Sequence, residues 1–232
     1  LTRVGVHNPG FHHWQLFLCP EDKYQNIASR IRQNNSSLSL HHPFIVPYKQ
    51  QNRHHSSLFL DALKDRREGS FAWLENSLEK AVELGAEFVV THLNHGEGVN
   101  NMATARKLAD EAMSRFAELS RSFKIPVHVE FLGYHSVFHD PGEFVDMLTD
   151  YPELSLCLDS GHLHRHGQIH DRNPYDSAEK LALLVGSIHL WNISSHDEYL
   201  RRGHIPVHPE HCVEDGYLDI EKILRTVLAM NR

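Results

Sequence analysis

Short apolar runs alternate with longer amphipathic ones along the chain, and this alternation constrains the fold more than any other feature of the sequence. RVGV (3–6), LSLHHPFIV (38–46), EFVVTHL (87–93), VHVEFL (127–132), LSLCLD (154–159) and SIHLWN (187–192) read as strands. EDKYQNIASRIRQ (21–33), FAWLENSLEKAVEL (71–84), Met102 to Phe123, Pro141 to Leu148, Pro174 to Val185 and Asp219 to Met230 read as helices. In the second of these, Phe71, Leu74, Leu78, Ala81, Val82 and Leu84 recur at near-helical spacing, and Gly85 is where a left-handed cap is expected. Strands that each feed a crossover helix build a mainly parallel sheet. HWQLFL (13–18) is a candidate further strand, and the stretch from Asn192 to Gly216 reads as a polar loop. With no low-complexity linker and no internal repeat, residues 1–232 read as one domain.

Composition narrows the classes of function. No apolar run approaches the roughly 20 residues of a membrane-spanning helix, and the start at Leu1 carries no signal-peptide pattern. A formal net charge of −7 disfavours a nucleic-acid partner, because phosphate binding needs excess Lys and Arg. Cys19, Cys157 and Cys212 are odd in number and far apart, which fits neither a zinc-thiolate site nor a disulfide scaffold and points to the cytoplasm. Histidine is the outlier: 21 residues, nearly as many as the 23 Lys and Arg together. His12-His13 and His54-His55 lie in polar stretches and read as surface residues.

In parallel α/β folds the functional groups come from the carboxyl ends of the strands. Here His41 and His42, His92, Glu130, Asp159 and His189 fall near that end of five successive strands. Alternate strand residues share a face, so Glu130 lies with His128 on one side while Val127, Val129 and Phe131 take the other. Asp159 and His162 are separated by a Ser-Gly turn that would bring both to one ion, and His164 and His166 beyond it read as solvent-facing. His128 and His170 read as hydrogen-bonded core residues. Glu130 has an alternative reading as a buried ion-pair partner, and Asp159 as a turn cap. Buried carboxylates and imidazoles are costly unless paired, and a divalent ion pairs with both. Mixed oxygen and nitrogen donors suit zinc or manganese first, then cobalt, iron or magnesium.

AVELGAEFVVTHL with His92, the strand glutamate of VHVEFL, CLDSGH, the strand histidine of SIHLWN and HIPVHPEHCVEDGYLDI together resemble the xylose isomerase-like barrels, which include sugar isomerases and epimerases and the endonuclease IV group. The resemblance covers Ser39 to Ile220. It implies an α/β fold of the TIM-barrel type with a divalent metal site at its C-terminal rim; the strand count makes that barrel incomplete or one of fewer than eight strands, with a doubly wound open sheet as the alternative. It marks Glu130, Asp159 and His189 as ligands of the isomerase type and His42, His92 and His162 as further ligands of the endonuclease type. His204 or His208 corresponds to a late-loop histidine of that family. The last-strand glutamate of the family has no counterpart, since Glu210 and Glu214 lie in the wrong element.

The expected activity is metal-dependent isomerisation or epimerisation of a small sugar or sugar phosphate through an enediolate, with Glu130 as base or ligand and His208 as the second acid-base group. The alternatives are a multi-metal phosphodiesterase of the endonuclease type and a non-catalytic metal-binding barrel. Trp191 and Tyr134 lie near the expected rim, where aromatic residues stack on sugars or simply pack.

Overall fold

The computed structural model describes residues 13–34, 37–46, 57–94, 99 and 101–230. Six parallel strands, β1 (His13–Pro20), β2 (Ser37–Val46), β3 (Val89–His92), β4 (Val127–Phe131), β5 (Leu154–Asp159) and β6 (Val185–His189), pair in the order of the sequence. They form a curled half-barrel with helices packed on its convex side, an incomplete TIM-type barrel. HWQLFL is thus a strand, while RVGV lies outside the described residues.

The helices α1 (Tyr24–Asn34), α2 (Lys64–Leu84), α3 (Met102–Phe123), α4 (Pro141–Thr149), α5 (Ser160–His170), α6 (Pro174–Leu181), α7 (His196–Arg202) and α8 (Ile220–Met230) complete the main elements. Their ends follow local chemistry. Gly85 takes φ 68° and returns its N–H to Ala81 and Val82, so α2 stops where the left-handed conformation carries no Cβ penalty. The Asn101 side chain accepts the Thr104 N–H at the start of α3, and Asp140 caps α4 ahead of Pro141. No described helix is long and apolar enough to cross a membrane.

The core lies between the outer face of the sheet and these helices. Val127, Val129, Phe131, Leu154, Leu156 and Leu158 point outward from β4 and β5 into a layer that includes Phe116 and Leu148. Their partners by alternation point into the concavity, so burial of the apolar set fixes the direction of the polar one.

Several expectations need correction. The segment after Asp159 is not a turn but the first turn of α5, and Asp159 is its N-cap, accepting the His162 N–H at 2.8 Å. Gly161 serves close packing rather than an unusual backbone angle: a Cβ there would lie 2.2 Å from the Trp191 ring. On this helix His166 is buried, 1% exposed, against Phe131 and His170, and His164 is half-buried. SIHLWN is not one strand, because β6 ends at His189 and β7 (Trp191–Asn192) pairs antiparallel with β8 (Ile205–Pro206). The stretch read as a loop to Gly216 therefore contains β8 and α7.

The ladder between β5 and β6 slips by one residue. Leu156 pairs with Val185 but Cys157 with Ser187, which leaves Gly186 as an extra residue and puts His189 opposite Asp159. A Cβ at Gly186 would sit 2.7 Å from Ser155 Cβ, so glycine is what the crowded concave face admits. After the slip His189 faces inward and Ile188 packs against the core.

Candidate metal centre

Register assembles the centre. His92 pairs with Glu130 across β3 and β4, Glu130 with Cys157 across β4 and β5, and Asp159 with His189 across β5 and β6. Glu130 is the hub: its Oε2 lies 3.1 Å from His41 Nε2, 3.2 Å from His92 Nε2 and 3.4 Å from His189 Nδ1, and its Oε1 lies 3.5 Å from His162 Nε2. His189 Nδ1 is also 3.6 Å from Asp159 Oδ2. Three donor sets share this carboxylate, His41 with His92, Cys157 with His189, and Asp159 with His162, each with its atoms within 4.8 Å of one another.

Electrostatics follow from the packing. Burial alone would raise the Glu130 carboxyl, but His92, His189 and His41 outweigh it and hold the group well below the ordinary carboxylate value. Asp159 is likewise lowered against the effect of burial, by His162 and His189. Burial disfavours a charge on His189, yet contact with Cys157, Asp159 and Glu130 raises it well above its usual value. Because burial also pushes the Cys157 thiol up, the negative charge here sits on the two carboxylates. Burial lowers His41 and His162, which therefore offer neutral imidazoles, the form that binds metals.

A divalent ion fits these residues. Two buried ionised carboxylates face several imidazoles, and the buried His162 Nδ1 and His189 Nε2 have no hydrogen-bond partner among the described residues. Asp159 is oriented from behind, since Trp191 Nε1–H donates to its Oδ2 at 2.6 Å while the backbone of His162 holds its Oδ1. Such supporting bonds are what fix a ligand's direction in a metal site.

The chain belongs to the xylose isomerase-like TIM barrel family. The match spans residues 6–232. Among curated proteins none matches by sequence. Among solved structures, a D-tagatose 3-epimerase-like protein is 15% identical, with 97% of this chain and 79% of that one covered and a TM-score of 0.74. L-ribulose 3-epimerase is 17% identical, covering 95% and 68% with a TM-score of 0.67. A xylose isomerase-like TIM barrel protein from Mycobacterium smegmatis, in complex with magnesium, is also 17% identical, covering 95% and 74% with a TM-score of 0.63. At these identities the likeness is one of fold within the xylose isomerase-like family.

Of the residues singled out in the sequence, His92, Glu130, Asp159, His162 and His189 come together. His204 lies on the rim, its ring 5.5 Å from that of His162 and 4.2 Å from that of Trp191. His42 and His208 do not join the cluster. His42 points to the helix side, 3.3 Å from Ser77 Oγ, and lines a separate cavity with Trp73 and Arg66. His208 is exposed on a turn beside Glu210 and His211. In its place β2 contributes His41, and β5 adds Cys157. Both were readable by phase: Leu38, Leu40 and His42 form the apolar face of β2, so Ser39 and His41 take the other, and Cys157 shares the face of Asp159.

Proposed function

We propose that this chain is a metal-dependent isomerase or epimerase of a small sugar. The observation that carries the reading is the buried Glu130 at the centre of donors delivered by five successive strands. Glu130, Asp159 and His189 would hold the ion, with His41, His92, His162 and Cys157 as further donors. A bound divalent ion supplies Lewis acidity toward the carbonyl and neighbouring hydroxyl oxygens of a sugar, which acidifies the adjacent carbon-bound proton.

The chain's own groups divide the remaining work. Glu130, held strongly acidic by its imidazoles, suits the role of ligand better than that of base. Burial keeps His204 below its usual value, so its imidazole is neutral near pH 7 and able to take up a proton at the rim. Trp191, itself buried, holds Asp159 in place through its indole N–H. Elemental analysis of the purified chain, with a ketose isomerisation assay before and after chelation, tests this. One ion per chain and activity that disappears on chelation and returns with metal support it; activity indifferent to metal removal overturns it.

One observation favours a second reading, a phosphodiesterase using several ions. His41, His92 and Glu130 form a donor set beside the one that contains Asp159 and His162, and so offer room for a second ion. Two or three ions per chain with phosphodiester hydrolysis and no ketose turnover would select it.

A further inference from the structure

A closed circuit of ring contacts borders the metal centre on the side of α5 and α7. His162 meets Trp191 at 5.2 Å and Tyr134 at 5.2 Å between centroids, Trp191 meets His204, and His204 meets Tyr199 at 6.1 Å. The circuit is completed by a cation. Arg165 places its guanidinium carbon 4.2 Å from the Tyr134 ring and 4.3 Å from the Tyr199 ring. Two aromatic rings thus lie against the guanidinium, and Nε donates to His196 Nδ1 at 3.2 Å.

What remains free is the far edge of the fork. Arg66, Arg106, Arg115 and Arg202 each sit against a carboxylate, whereas Arg165, like Arg67, Arg172 and Arg201, has none among the described residues. Its Nη groups have no protein partner among those residues, and neither is sealed from solvent. A planar cation held against two rings still presents its paired N–H donors in its own plane, where they match the oxygens of a phosphate or carboxylate. Stacking has already removed the side-chain freedom that such an arginine would otherwise lose on binding.

We propose that Arg165 is a specificity-determining residue that grips an anionic group, phosphate or carboxylate, on the sugar whose reacting oxygens face Glu130 and Asp159. This rests on the isomerase reading for the second half of the statement only. His162 touches both Glu130 of the centre and Tyr134 of the circuit, so the two border one another.

The test uses the metal-loaded full chain with R165Q and R165K. Inorganic phosphate is titrated calorimetrically into each, and turnover is compared for a neutral ketose, its terminal phosphate ester and the corresponding sugar acid. Loss of a charge-assisted pair corresponds to about 10- to 100-fold. R165Q is expected to weaken phosphate binding by that factor and to raise KM for the anionic sugars by that factor more than for the neutral one. R165K, which keeps the charge but not the fork, should fall between and carries the test if R165Q does not fold. The ester and the acid, run side by side, show which anion is the natural one. Equal phosphate binding by wild type and both variants, or equal KM changes for neutral and charged sugars, makes Arg165 a packing residue and overturns the proposal. If no ketose is turned over the isomerase reading falls, while the phosphate titration still decides the role of Arg165.

Discussion

The two walls of the site are built by different means. On one wall β2 to β6 deliver donors whose positions are set by backbone ladders and by the burial of their neighbours on the opposite face. On the other, Tyr134, Arg165, Trp191, Tyr199 and His204 come from loops, helices and the short strand β7 and are held by ring contacts and two cation–π pairs. A ladder fixes side-chain direction to within the pleat, which suits groups that must converge on one ion. Ring contacts of about 0.5–1.5 kcal/mol each tolerate exchange, which suits groups that choose among substrates.

This contrast breaks most readily at Glu130. Glu130→Gln removes the one carboxylate common to all three donor sets, so metal affinity should fall by more than the roughly 100-fold seen for supporting residues, and sugar turnover with it. Isothermal titration of manganese into the variant checks this; unchanged affinity would mean that the strand wall is not where an ion sits. Trp191→Phe keeps the ring circuit but deletes the hydrogen bond to Asp159, and should weaken the metal about 10- to 100-fold, with R165Q leaving metal affinity near wild type. Equal losses in both would erase the distinction between the walls.

Gly186→Val tests the slip in register. Its added carbons meet Ser155 and His128 Cε1, and urea unfolding should show about 1–3 kcal/mol of destabilisation together with loss of metal. The smallest effect concerns α5, which serves both walls and also sends His166 into the core. Burial, with His170 and His139 alongside, lowers His166 from 6.5 to about 4, against a smaller opposing pull from Asp140 and a further push from Arg172. The fold therefore favours the neutral ring. As pH falls below 6.5 the unfolded chain takes up this proton first, so stability is full above that value and declines toward pH 4. Unfolding at pH 7 and pH 5 should show wild type losing about 1–2 kcal/mol more than H166Q; identical pH slopes would show that the ring is not held neutral.

The same contrast explains what was legible in the sequence. His92, Glu130, Asp159 and His189 stand at strand ends with apolar neighbours in the opposite phase, and a period of two is visible in a string of letters. The choice between His41 and His42 needed that phase read through LSLHH as well. The slip at Gly186 gave no such sign, because a strand with one extra residue looks like any other until its partner is known. Helix α5 was hidden by the ordinary turn chemistry of Asp-Ser-Gly and a run of histidines with weak helical preference, and tertiary packing under Trp191 decided the matter. Arg165 could not be found at all by spacing, since Tyr134, Arg165 and Tyr199 meet only after three elements have docked.

The unpaired glycine in β6 sets what kind of interior this half-barrel has. Were Gly186 to pair with Cys157 in an unbroken ladder, the rest of the strand would turn over, so that an isoleucine would greet the two carboxylates and an imidazole would be driven among the leucines outside. An acidic hollow able to gather cations is thus separated from an oily one by a single step in counting.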